Sequence, residues 1–233
     1  MDSNQIQELL TQAVQHQQQG RFDQAEQLYR SVLDQEPQHP EPWHMLGVLK
    51  IQCNEHQAGV EHIQEAIRLH DQESRYYNNL GIAYKSLGEQ DQALKAFSKA
   101  LALNPEYPEA CNNLGAVYHA RGDYEQASQQ YAQAVRLKKD YLQAHNNLAK
   151  LFLSLSEFEK AFKCFQNVIK LDPGFAPAYN NMGTILQEAG RFEESLRYYN
   201  LALEKDYTFF KAYKNRASAL LKLSARRLAK IGD

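Results

Sequence analysis

Asparagine is the residue whose spacing most suggests a binding chemistry in this 233-residue chain. A primary amide carries a hydrogen-bond donor and an acceptor on one short arm, so a regular row of amides can pair with successive peptide units of an extended polypeptide. One such row recurs every 34 residues, at Asn79, Asn113, Asn147, Asn181 and Asn215. The row predicts binding of another protein's main chain, largely independent of its side chains.

A second row of asparagines lies one residue earlier in four of these places. It consists of Asn78, Asn112, Asn146 and Asn180. For this row we favour a structural role, in which the amides bond to neighbouring helices and fasten successive repeats together. The same structural role is the alternative to peptide binding for the first row.

Basic side chains and one imidazole are further candidates for contact with a bound peptide. They are Lys85, His119, Lys150, Lys211 and Lys214. Lys211, Lys214 and Asn215 share a helix face, which would suit an acidic ligand. The alternative for this basic end of the chain, which we favour, is a solubilising cap, because the outermost helix of a stacked array must turn a polar face to water.

Catalytic and metal-binding patterns are missing from the sequence. There is no G-x-G-x-x-G, G-x-x-x-x-G-K-[ST], H-E-x-x-H or C-x-x-C motif. The cysteines, Cys53, Cys111 and Cys164, are odd in number and far apart, which is typical of packed thiols. We therefore predict a protein that is not an enzyme and needs no cofactor or metal.

A period of 34 residues organises the whole chain. Repeats of this length span residues 6–39, 40–73, 74–107, 108–141, 142–175 and 176–209, and a partial seventh repeat spans 210–233. We number the positions within each repeat as slots 1 to 34. Small residues recur in slots 8 and 20, and slot 15 holds a turn residue: Gly20, Asn54, Gly88, Gly122, Ser156 and Gly190. The pattern predicts an all-α protein built from pairs of helices joined by short turns.

The repeats resemble the tetratricopeptide (TPR) family. The signature W-x2-L-G-x2-Y, then A-x3-F, then P is matched in the third repeat, with Tyr in place of Trp, by Tyr77, Leu80, Gly81, Tyr84, Ala93, Phe97 and Pro105. The resemblance implies a right-handed superhelical solenoid whose first helices line a concave groove. It also implies a protein-binding role.

The Asn-Asn-Leu-Gly runs at 78–81 and 112–115 resemble a particular TPR array, the superhelical arm of O-linked N-acetylglucosamine transferases. That resemblance implies an inner ladder of asparagines that holds substrate peptide. Our leading hypothesis is a non-catalytic scaffold that binds an extended segment of a partner. The alternatives are a recognition arm of, or partner to, such a glycosyltransferase, and a self-assembling scaffold.

Helical periodicity divides each first helix into two faces. At about 100° per residue, slots 4, 7, 8 and 11 form the core face, and slots 2, 5, 6, 9, 12 and 13 point away from it. In the first two repeats the second set contains apolar residues that predict a shelf for a partner helix or another copy of the chain. These residues are Leu10, Val14, Met45, Val48 and Ile51. Coverage by neighbouring helices is the alternative.

Charge and hydropathy limit the partners. The net charge is -2, which does not favour nucleic acid as a partner. The N-terminus does not resemble a signal peptide, and no run approaches the roughly 20 apolar residues of a membrane span. We therefore expect a cytoplasmic protein with no membrane span, in which homo-oligomerisation remains open. The charge is uneven, since the first two repeats are acidic and residues 210–233 are strongly basic.

Overall fold

A computed structural model describes the backbone of residues 3–232 and the side chains of residues 4–229. Within that part the chain forms thirteen α-helices and no strand, which confirms the predicted all-α class. The helices are α1 (Ser3–Gln18), α2 (Phe22–Gln35), α3 (Pro40–Gln52), α4 (His56–Leu69), α5 (Ser74–Ser86), α6 (Gln90–Leu103), α7 (Pro108–Arg121), α8 (Tyr124–Leu137), α9 (Leu142–Ser154), α10 (Phe158–Leu171), α11 (Ala176–Glu188), α12 (Phe192–Lys205) and α13 (Phe210–Gly232).

The chain divides into two compact units, Met1–Gly122 and Asp123–Asp233. In the first unit, which contains α1 to α7, each helix packs on the next one along the chain. The second unit contains α8 to α13, and there too successive helices pack, from α8 on α9 to α12 on α13. First helices of successive repeats also touch, as in α5 against α7 and α11 against α13. Each unit is thus a stack of helices.

The predicted turns are confirmed by the backbone. All six slot-15 residues have a positive φ, including the two that are not glycine, Asn54 at 61° and Ser156 at 59°. A residue in the left-handed conformation commonly ends a helix, because it turns the chain and lets the last carbonyl groups accept hydrogen bonds. The four glycines adopt this conformation without the clash that a Cβ would cause.

Small and large residues interlock as their slots predict. A Cβ added to Gly81 would lie only 2.6 Å from the ring of Phe97, and one added to Gly183 would lie 2.7 Å from the ring of Tyr199. Glycine in a helix interior costs about 1 kcal/mol relative to alanine, and here the aromatic ring fills the space that it leaves. The close approach of the two helices therefore depends on these glycines.

The core face of the first helices is also confirmed. Slot 7 is buried in five repeats, by Leu46, Leu80 and Leu114 in the first unit and by Leu148 and Met182 in the second. Fixing this face fixes the opposite one, because a helix presents its residues in a set angular order. The asparagines of slot 6 therefore have a defined place beside the core.

Candidate peptide-binding surface

The two rows of asparagine differ in exposure. Slot 6 is half-buried in all five repeats that carry it, at Asn79, Asn113, Asn147, Asn181 and Asn215. Slot 5 is buried, with only 4% of Asn78 and 1% of Asn180 exposed. Our placement of slot 5 on the face away from the core was therefore wrong. Successive first helices pack side by side, and slot 5 falls at their contact, which the angular positions on an isolated helix cannot show.

Direct hydrogen bonds between the two rows fasten neighbouring repeats. In the first unit, Asn113 Nδ2 donates to Asn78 Oδ1 at 3.1 Å. In the second unit, Asn215 Nδ2 donates to Asn180 Oδ1 at 2.9 Å. These bonds confirm the fastening role predicted for slot 5. Each uses one of the two N–H groups of the slot-6 amide, so the second N–H group has no part in the fastening.

Asn79 makes the equivalent contact with a histidine, because the second repeat has His44 in slot 5. Asn79 Nδ2 lies 2.8 Å from His44 Nε2. His44 Nδ1 is enclosed and lies 3.8 Å from Glu41 Oε1.

Glu41 is the centre of a charged cluster at this place. The Tyr76 hydroxyl donates to Glu41 Oε2 at 3.0 Å, and Arg75 lies 3.4 Å from the same oxygen. The contact with His44 contributes most to lowering the pKa of Glu41 to about 2, and Arg75 and Tyr76 contribute less. Burial of the carboxyl group has the opposite effect on this pKa. The carboxylate therefore stays charged at neutral pH. The sequence analysis missed this cluster, although an acid in slot 2 and a histidine in slot 5 were visible signals.

Asn181 differs from Asn113 and Asn215 in its hydrogen bonds. Its Oδ1 accepts a long hydrogen bond of 3.5 Å from Asn180 Nδ2, and its Nδ2 donates no hydrogen bond within the described part of the chain. Asn146, the slot-5 residue of the preceding repeat, has an enclosed Oδ1 with no partner there either. The fastening bond seen at Asn113 and Asn215 is thus not made at Asn181. Both N–H groups of this amide remain for a ligand.

The predicted basic contacts are mostly exposed. Lys85, Lys150, Lys211 and Lys214 are exposed, and none of the four forms an ion pair within the described residues. Partial desolvation by the surrounding protein lowers the pKa of Lys85 although its side chain is exposed, because desolvation penalises the charged form. His119 is half-buried. Lys211, Lys214 and Asn215 lie on the same helix, α13.

A pocket lies beside the predicted apolar shelf in the first unit. Its volume is about 430 Å³, and we call it the N-terminal pocket; it is lined by Gln7, Leu10, Thr11, Val14, Gln15, Tyr29, His39, Glu41 and Met45. The shelf residues Leu10, Val14 and Met45 therefore lie close together, but Leu10 is only 8% exposed and packs in the core, so the alternative of coverage holds for it. Ile51 instead packs beside Gly59, where a neighbouring helix covers it.

The surface of α13 differs from the expected polar cap. Its solvent side carries a row of large apolar residues, which we call the α13 stripe: Phe210, Tyr213, Leu220, Leu221 and Leu228. Phe210 is 83% exposed and Leu221 is 73% exposed. The expectation of a polar outward face is therefore wrong, because the basic residues flank this row and do not cover it.

Metal ligands, thiols and membrane-spanning helices were also sought among the described residues. They contain no group of three or more His, Cys, Asp or Glu side chains arranged to hold a metal ion. Cys53, Cys111 and Cys164 are free thiols, and burial raises the pKa of each. None of the helices described is both long enough and apolar enough to cross a membrane.

The structure resembles solved helical-repeat proteins. PilF of Pseudomonas aeruginosa has a TM-score of 0.81 at 17% identity, over 91% of this chain and 97% of that one. YrrB, described as a TPR protein with an unusual peptide-binding site, has a TM-score of 0.67 at 20% identity, over 81% and 97%. MamA has a TM-score of 0.66 at 23% identity, over 71% and 96%. At these identities the likeness concerns the fold. No curated protein sequence matches the chain.

Models of the tetratricopeptide repeat match most of the sequence. One, described as TPR repeat, matches residues 83–122 and 117–156. Three others, described as tetratricopeptide repeat, match residues 16–80, 142–175 and 164–197. These matches agree with the 34-residue period, the helix pairs and the interlocked glycines described above. The chain belongs to the tetratricopeptide repeat family.

Proposed function

We propose that this protein is a non-catalytic scaffold that binds an extended segment of a partner protein through the asparagines of slot 6. Asn79 and Asn113 serve the first unit, and Asn147, Asn181 and Asn215 serve the second. Three features support this role: the amides recur at one slot, their side chains are half-exposed, and a donor N–H group is left over where the fastening bond is made.

Asn181 is the observation that carries the proposal. A half-exposed amide whose Nδ2 has no protein partner can donate to a peptide carbonyl group without breaking any bond within the protein. A net hydrogen bond of this kind contributes about 0.5–1.5 kcal/mol. Asn147, one repeat earlier, is the natural second contact for the same ligand.

The charges on this face indicate which partner side chains are favoured. In the second unit, Lys150 shares a first helix with Asn147, and Lys211 and Lys214 share one with Asn215. These exposed cations would attract carboxylates on the bound segment, mainly by raising the association rate and the specificity. We therefore propose a partner segment that is extended, contacted through its main chain, and acidic where it meets Lys211 and Lys214.

A peptide selected on the protein itself provides the test. Unstructured peptides would be selected from a random-sequence display library on the wild-type chain, and the affinity of one of them would be measured by calorimetry. The Asn147→Ala/Asn181→Ala double variant should bind this peptide about 5- to 150-fold more weakly, which corresponds to a loss of about 1–3 kcal/mol. Unchanged affinity would contradict the proposal.

A matched variant separates this effect from a general loss of asparagine. Asn167 is an exposed asparagine on α10, a second helix that does not belong to the slot-6 row. Asn167→Ala should bind the peptide as the wild type does. If it weakened binding as much as the double variant, the row would have no special role.

A second candidate function is the recognition arm of, or a partner to, an O-linked N-acetylglucosamine transferase. It rests on the two Asn-Asn-Leu-Gly runs in the third and fourth repeats. Affinity capture from the native source, followed by mass spectrometry, tests it. Recovery of a glycosyltransferase with the wild type but not with an Asn79→Ala/Asn113→Ala variant would support it, and recovery of unrelated proteins alone would contradict it.

A further inference from the structure

Helix α13 has apolar residues on two opposite sides. On one side Ala212, Ala219 and Leu223 are buried within the second unit. On the other side lies the α13 stripe, in which Leu220 is 48% exposed and Leu228 is 70% exposed. At about 100° per residue, the five stripe residues fall within an arc of about 100°, so they form one continuous face. An exposed apolar face of this size is typical of a protein interaction site.

Cations border the α13 stripe. Residues 210–229 include six lysines and arginines and no acid. On one edge lie Lys211, Lys214 and Lys222, which are exposed and form no ion pair within the described chain. On the other edge the cations are engaged: Arg216 donates to Asn200, and Arg227 lies 3.4 Å from Glu193. The lysine edge therefore favours an acidic partner that also presents apolar surface.

The first two repeats offer a surface of that kind. They carry net charges of -3 and -4. The N-terminal pocket within them offers the partly exposed Val14 and Met45, with the polar Gln7, Thr11 and Gln15 and the acid Glu41 also in its wall. Its volume of about 430 Å³ lies within the range of roughly 300–1,000 Å³ that is usual for ligand pockets.

We propose that the α13 stripe of one copy docks in the N-terminal pocket of a second copy. An amphipathic helix that lays its apolar face into an apolar groove is a recurring mode of protein recognition, with anchors spaced three or four residues apart. Phe210 and Tyr213 are three residues apart, and Leu221 and Leu228 are seven apart, which is two helical turns, so each pair lies on one face of the helix. The lysine edge then faces the acidic first two repeats. This proposal does not use the slot-6 asparagines, but it shares Lys211 and Lys214 with the proposed peptide contact.

Pairing of two α13 helices is the competing arrangement, and the charges disfavour it. Two copies of a helix with seven cations and no acid would repel one another, whereas the acidic first two repeats attract the same helix. The favoured contact joins two different surfaces, so it is heterologous. Heterologous contacts extend into chains of molecules or close into rings.

Two complementary variants test this arrangement. Met45→Lys blocks the N-terminal pocket and leaves the stripe intact, and Leu221→Gln/Leu228→Gln removes two stripe anchors and leaves the pocket intact. Masses would be measured by light scattering and sedimentation up to about 1 mM, the weak end of the affinity scale. Wild-type protein should exceed the monomer mass of 26.8 kDa as concentration rises, and each variant alone should stay monomeric.

An equal mixture of the two variants is the decisive sample. One intact pocket and one intact stripe remain in each pair of molecules, so the mixture should form a dimer of twice the monomer mass and grow no further. About 1 M NaCl, which shortens the screening length to about 3 Å, should weaken this dimer. A wild type that stays monomeric, a mixture that stays monomeric, or a Met45→Lys variant that still dimerises would each overturn the proposal.

Controls keep the result from reflecting damage to the fold. Leu171→Gln changes an exposed leucine at the end of α10 and should assemble as the wild type does. Val14→Gln is a second pocket variant, and agreement with Met45→Lys, at unchanged melting temperatures, would assign the effect to the pocket. Asn147→Ala/Asn181→Ala should leave assembly unchanged, so a failure of peptide binding and a failure of assembly are distinguishable.

Discussion

At the scale of single residues, one amide side chain has two roles. In two repeats the slot-6 asparagine, Asn113 or Asn215, donates one N–H group to slot 5 of the preceding repeat while its side chain stays half-exposed. Asparagine is a mediocre helix former, so its repetition in helices needs a compensating interaction. The fastening bond explains why the two rows keep the same spacing of 35 residues between bonded asparagines. A bound peptide would contact the N–H group of the slot-6 amide that the fastening bond does not use.

The fastening bond predicts a measurable coupling between Asn180 and Asn215. Asn180 is 1% exposed, so Asn215→Ala should leave its Oδ1 buried without this donor and should cost about 1–3 kcal/mol of unfolding free energy. In a double-mutant cycle with Asn180→Ala, the interaction energy should be about 0.5–1.5 kcal/mol. Urea unfolding of the four proteins gives this value, and strictly additive effects would contradict the bond.

Glu41 predicts a dependence of stability on acid pH. Its pKa falls from the ordinary 4.5 to about 2 in the folded protein. A carboxyl group with a lowered pKa stabilises the fold above its unfolded pKa, and this stabilisation is lost as the pH falls from about 4.5 towards 2. The shift corresponds to at most about 3 kcal/mol, and the 25% exposure of the side chain reduces that value.

Comparison with Glu41→Gln isolates this contribution. The wild type should be more stable than the variant at pH 7, and the difference in unfolding free energy should shrink as the pH is lowered through this window. Denaturant unfolding at a series of pH values measures it. A difference that stays constant from pH 7 to about pH 2.5 would show that Glu41 gains nothing from its neighbours.

At the scale of helices, the two sides of α13 predict very different losses of unfolding free energy for two leucines that are two residues apart. Leu223 is 8% exposed and Leu221 is 73% exposed. Leu223→Ala should lower the unfolding free energy by about 2–5 kcal/mol, because it removes buried apolar contacts and leaves a cavity. Leu221→Ala should change it by no more than about 0.5 kcal/mol. Thermal and urea unfolding measure both, and equal losses would contradict the assigned faces.

The sequence predicts the helices well, because their signals are local. A positive φ at Gly88 or Ser156 and the burial of Leu80 follow from residue type and period alone. It predicts less well what depends on the neighbouring repeat. Asn78 lies on the outward side of its own helix, yet it is buried because the next first helix packs against it. The exposure of the apolar side chains Tyr213, Leu220 and Leu221 depends likewise on which side of α13 packs against the second unit, and this packing is not visible in the helix pattern.

At the scale of the whole molecule, the repeat converts one local contact into a series. The same packing of a small residue against a large one recurs, as in Gly81 against Phe97 and Gly183 against Tyr199. Because the helices repeat in this way, the 34-residue period alone places the slot-6 amides at equivalent positions. For this reason the sequence alone identifies which asparagines form the slot-6 row. The open state of Asn181 was not predictable, because it depends on contacts between side chains of different repeats.

The central claim is that slot-6 amides contact the main chain of a bound peptide. A thermodynamic cycle tests it most directly, with calorimetry of wild type and Asn181→Ala against the selected peptide and against versions N-methylated at one peptide bond at a time. At the contacted bond, loss of the amide and methylation should be non-additive by about 0.5–1.5 kcal/mol. Additive effects at every peptide bond would contradict the claim.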